Sequence, residues 1–81
     1  MNLRLSILSA LNKAGGRPVP EYVLKLEVRV RIGRHPGEQE WDEEVATQLD
    51  RGWLQRDKDE VTDDPRLRIT EAGKKATKNH E

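Results

Sequence analysis

The stretch from Gly52 to Gly73 constrains this chain most. A glycine at position 52 follows a helical pattern and sits where a helix end needs a left-handed residue. Trp53 to Arg56 then reads as a short strand, Asp57 to Asp64 as a polar loop, and Arg66 to Ile69 as a second strand. In that second strand Leu67 and Ile69 fall on one face and Arg66 and Arg68 on the other. Thr70 follows at once, with a hydroxyl suited to capping the helical run Glu71-Ala72-Gly73-Lys74-Lys75-Ala76. Helix, tight hairpin and helix in direct succession leave the hairpin one apolar surface to cover, and the flanking helices are what can cover it.

The rest of the chain must complete that core with little material. At 81 residues, 33% hydrophobic and 37% charged, there is room for one domain with a small core. A chain of this size lies near the lower limit for independent folding, where a partner or a dimer contact helps. With no cysteine, disulfides and thiolate metal sites are excluded. Leu3 to Leu11 is too short and too interrupted for a membrane span and lacks the pattern of a signal peptide, so the expected location is cytoplasmic.

Leu3, Ile7, Leu8 and Leu11 mark an amphipathic first helix that ends at Gly15-Gly16. Pro18 and Pro20 force an extended stretch, and Glu21 suits the first turn of a second helix. From Leu24 to Ile32 two patterns compete. Leu24, Leu26, Val28, Val30 and Ile32 alternate with Lys25, Glu27, Arg29 and Arg31 as in a strand, while Tyr22, Val23, Leu26 and Val30 fit one helical face. The expectation is a short helix to about Glu27 and an extended piece to Ile32. Gly33 to Gly37 is a turn, and Glu38 to Arg51 is a third helix with Trp41, Val45 and Leu49 as its buried stripe. The whole reads as one domain over residues 1–79 with a frayed tail at 80–81.

The junction Gln48-Leu49-Asp50-Arg51-Gly52-Trp53-Leu54 resembles the helix-to-wing junction of winged-helix proteins, and Leu67-Arg68-Ile69-Thr70-Glu71-Ala72-Gly73-Lys74-Lys75-Ala76 resembles their strand-into-helix segment. The likeness is to small bacterial and phage winged-helix regulators in the broad sense. It implies an α+β winged helix: a three-helix core, a two-strand β-hairpin wing with room for a short third strand, and a short C-terminal helix. Many proteins of this fold lay the third helix in the DNA major groove. Here that helix would expose Glu40, Glu43, Glu44 and Thr47, and phosphates repel carboxylates.

Net charge is zero but unevenly spread: +5 over residues 1–34, −8 over 35–64 and +3 over 65–81. Two candidate surfaces follow. The acidic set Glu38, Glu40, Asp42, Glu43 and Glu44 serves either as a docking surface for a basic partner or as a complement to the helix dipole; Glu40, Glu43, Glu44 and Thr47 are the expected partner-binding residues. The basic set Lys25, Arg29, Arg31 and Arg34, with Arg66 and Arg68 on the wing, serves either as phosphate contacts or as solvated and cross-strand-paired charge. Nothing in the residues supports catalysis, a metal site, a cofactor or a small-molecule substrate: the serines have no base beside them, and the wing acids lack calcium-loop order. The leading expectation is a non-enzymatic binding module with a protein partner or a homodimer. The alternative is a DNA-binding regulator that docks through the basic segment and the wing.

Overall fold

In a computed structural model describing residues 2–79, the chain runs α1 (Leu3–Lys13), β1 (Val19–Pro20), α2 (Glu21–Ile32), α3 (Glu38–Asp50), β2 (Leu54–Lys58), β3 (Pro65–Ile69) and α4 (Glu71–Asn79). The expected tail at 80–81 lies outside the described residues. The arrangement is a winged helix of the α+β class. Its three strands lie in the order β1-β3-β2, all neighbours antiparallel. Strand β1 is the short third strand, and prolines at 18 and 20 limit its ladder because neither has an N–H to give.

The apolar spacing of α1 delivers what it promises: Leu3, Ile7, Leu8 and Leu11 are all buried. Asn2 starts this helix by accepting the Leu5 N–H on Oδ1 at 2.8 Å. The hairpin register pairs Leu54 with Ile69 and Arg56 with Leu67, so Leu54, Leu67 and Ile69 face inward together. The first wing strand runs two residues past the expected Arg56, to Lys58, because pairing with β3 continues to Pro65.

The reading of residues 24–32 needs correction. There is no extended piece; α2 is one helix from Glu21 to Ile32, closed by Gly33 at φ 74°. The strand-like alternation is the sum of two helical ladders. Leu24 and Val28 are fully buried, and Ile32 packs beside them at the next i+4 step. Tyr22, Leu26 and Val30 form a second i, i+4 ladder on the opposite, solvent-facing side. Two apolar ladders offset by two residues produce period two without a strand.

The buried stripe of α3 is also shifted. Trp41 and Val45 are buried as expected, but the third member is Gln48, with Leu49 only half-buried. Gln48 Nε2 donates to Glu44 Oε2 at 3.1 Å and to the Arg4 carbonyl at 3.4 Å, which ties α3 to α1. Gly52 has φ 75°, the left-handed end expected of it.

The turn into α4 is the tightest junction. The Thr70 N–H donates to the Trp53 carbonyl at 2.9 Å, and Thr70 Oγ1 accepts the Gly73 N–H at 3.1 Å. Gly73 then packs against the Trp53 carbonyl so closely that a Cβ would lie 2.2 Å from that oxygen. These contacts account for the Thr70–Gly73 segment in physical terms: the hydroxyl caps, and the missing side chain admits the Trp53 carbonyl just before β2.

Candidate functional site

The four residues expected to bind a partner come together. Glu40, Glu43, Glu44 and Thr47 line a cavity of about 580 Å³ between the N-terminus of α1, the C-terminus of α2 and the exposed face of α3. Arg4 and Arg34 line the same cavity. Arg34 donates two hydrogen bonds to Glu40, 2.9 Å to Oε1 and 2.7 Å to Oε2, and this holds the Glu40 carboxyl below the usual carboxylate range. Arg4 Nε donates to Glu44 Oε2 at 3.0 Å. Glu43 makes no ion pair with a described residue; it accepts from Gln39 Nε2 at 3.0 Å. Two of these three carboxylates are therefore paired with arginines, and Glu43 lines the cavity with no cationic partner among the described residues.

The expected phosphate contacts do not form one face. Arg66 donates to Asp59 Oδ2 at 2.9 Å, and Arg68 Nε lies 2.9 Å from Asp57 Oδ2. Both are cross-strand or turn partners, as expected of wing arginines that hold the hairpin together. Arg31 turns inward to donate to Ser9 Oγ at 3.1 Å and to Glu27 Oε1 at 3.2 Å. The stripe of Lys25, Arg29 and Arg31 that a strand would have formed is thus broken by the helix. Lys25 and Arg29, one turn apart on α2, remain exposed and make no ion pair with a described residue. The Lys25 ammonium lies 5.7 Å from the centroid of the Trp41 ring.

The wing tip is built around Asp59. Its Oδ1 accepts the Val61 and Thr62 N–H groups at 2.8 and 3.1 Å, and Oδ2 takes the Arg66 contact. The two backbone donors and the guanidinium hold the Asp59 carboxyl below its ordinary range. A depressed acid contributes to the fold above its unfolded pKa, and the contribution is lost as pH falls through the folded value. Acidification below the ordinary aspartate range is therefore expected to loosen the wing tip first. Amide signals of Val61 and Thr62 that keep their shifts down to complete carboxylate protonation would rule this out.

One candidate surface was missed. Tyr22, Leu26 and Val30 are 63%, 56% and 80% exposed in a single ladder along α2. The signal was present in the alternation, which resolves into an inner and an outer ladder once residues are taken four apart. Trp53 is half-buried between two guanidinium groups, Arg51 at 5.0 Å and Arg4 at 5.9 Å from its ring centroid, so its ring is already occupied.

No helix among the described residues is long and apolar enough to cross a membrane. No protein-family model matches the chain, and no curated protein matches it. Among solved structures, the chain is similar to a protein from Thermoplasma acidophilum that is provisionally named a transcriptional regulator. The two are 25% identical, superpose with a TM-score of 0.75, and share 98% of this chain and 74% of the other.

Proposed function

We propose that this chain is a non-enzymatic winged-helix module of a transcriptional regulator, and that it meets DNA through α2 and not through α3. The observation that carries the regulator reading is the structural likeness over 98% of the chain to a protein provisionally named for that role. The choice of face comes from charge. The exposed side of α3 presents Glu38, Glu40, Asp42 and Glu43, and the wing loop adds Glu60, Asp63 and Asp64. A duplex laid on that surface would meet repulsion where affinity ordinarily rests on neutralised phosphates. Lys25 and Arg29 are the members of the expected phosphate set that make no ion pair with a described residue.

A second reading has its own support. Glu40, Glu43, Glu44 and Thr47 gather on one cavity, and Glu43 makes no ion pair with a described residue, an arrangement suited to a basic segment of a protein partner.

An NMR titration of the isotope-labelled protein with a generic duplex separates the two. At low salt, shifts are expected at Lys25, Arg29 and the turn that follows α2, shrinking as salt rises. Shifts confined to α3, or none at low salt, would remove the DNA reading and leave the protein partner.

A further inference from the structure

We propose that the outer face of α2 is a docking site for an acidic amphipathic helix of another protein. The large apolar side chains left exposed among the described residues are Tyr22, Val23, Leu26, Val30 and Val61, and all but Val61 stand on this one helix. Single exposed apolar residues are ordinary; a continuous ladder spanning two turns marks an interaction surface. Spacing at i, i+4 and i+8 is the footprint that a helix partner reads.

A second feature adjoins the ladder. A cavity of about 260 Å³ opens between α2 and the turn into α3, with Lys25, Leu26 and Arg29 on one side, Pro36 and Glu38 on the other, and Trp41 lining it. It is smaller than the roughly 300–1,000 Å³ of small-molecule sites. It suits one anchoring side chain inserted from a helix lying along the ladder, which is how a few central residues come to dominate an interface.

The charges around the ladder select the occupant. Lys25 and Arg29 form one edge and make no ion pair with a described residue. On the other edge Glu27 is already paired with Arg31 at 3.2 Å. The unsatisfied edge therefore asks for carboxylates beside apolar residues. A second copy of this chain fits less well. Antiparallel pairing of α2 with itself about a two-fold axis is isologous and would set the Lys25 and Arg29 edge against its own counterpart. A partner helix with acids along one flank removes that repulsion.

The inference goes beyond the regulator reading and does not depend on DNA binding, although duplex and helix would compete for Lys25 and Arg29. The probe is a stapled synthetic helix with leucines four residues apart and glutamates on one flank; its control carries lysines in place of the glutamates. Titration of each into the isotope-labelled protein is expected to move Tyr22, Leu26, Val30 and the Trp41 indole signal with the acidic probe. The lysine control should bind at least about tenfold more weakly. Leu26→Ser should weaken the acidic probe by a similar factor while leaving the duplex shifts in place, and K25E/R29E should reverse the preference between the two probes. Equal binding of both helices, or no shifts with either, would overturn the proposal whatever the duplex does. So would a concentration-dependent dimer in sedimentation that Leu26→Ser abolishes, which would make a second copy the occupant. Loss of duplex shifts alone would count against the DNA reading and not against this one.

Discussion

Gly73→Ala is expected to lower the melting temperature by roughly 10–20 °C, from a destabilisation of ~2–3 kcal/mol in a domain of this size. Two effects oppose each other at this position. In an exposed helix interior, alanine in place of glycine gains about 1 kcal/mol from helix propensity. Here the new Cβ would lie 2.2 Å from the Trp53 carbonyl oxygen and 2.7 Å from Ile69 Cγ1. The Ile69 side chain could shift, but the Trp53 carbonyl is backbone and accepts the Thr70 N–H, so relief means moving α4 off the hairpin. Steric cost wins over propensity. Gly37→Ala is the steric control: its φ is −66° and no atom beyond its chain neighbours lies within 4 Å of the added carbon, so the change should cost no more than the ~1 kcal/mol of a poorer N-cap on α3. Thermal melts followed by circular dichroism decide the matter. A Gly73→Ala protein that melts as high as the parent would mean that α4 does not rest on the Trp53 carbonyl.

Val28→Asp should unfold the domain, whereas Val30→Asp should change its stability by no more than about 0.5 kcal/mol. In a strand the two positions share a face and the substitutions would act alike. In α2 they do not: Val28 is 0% exposed and Val30 is 80% exposed. At position 28 the loss combines about 1.5–3 kcal/mol of apolar burial with several kcal/mol for desolvating an unpaired carboxylate. A domain of 81 residues holds only roughly 4–12 kcal/mol in total. At position 30 the carboxylate stays in water. Urea denaturation of the two variants tests the helix directly, and similar midpoints for both would restore the extended reading of residues 28–32.

What the sequence determined by itself is the part of the fold written in local chemistry. Gly52, Thr70 and the alternation of Leu67 and Ile69 specify a helix stop, a cap and a strand through interactions that span a few residues, and the structure places each accordingly. The α1 stripe and the core position of Trp41 were legible for the same reason. Tertiary structure alone decided the rest. Residues 24–32 satisfy a strand and a helix equally in sequence, and burial of Leu24 and Val28 against the core is what selects the helix. The charge pairs that join separate elements were equally out of reach, because their partners lie far apart in the chain: Arg4 with Glu44 and Arg56 with Glu21. Of the expected phosphate contacts, Arg31, Arg66 and Arg68 are paired with Glu27, Asp59 and Asp57, which leaves Lys25 and Arg29 beside an uncovered apolar ladder. A side chain's charge is fixed by its type, but whether that charge is free to meet a partner depends on what the fold has already placed against it.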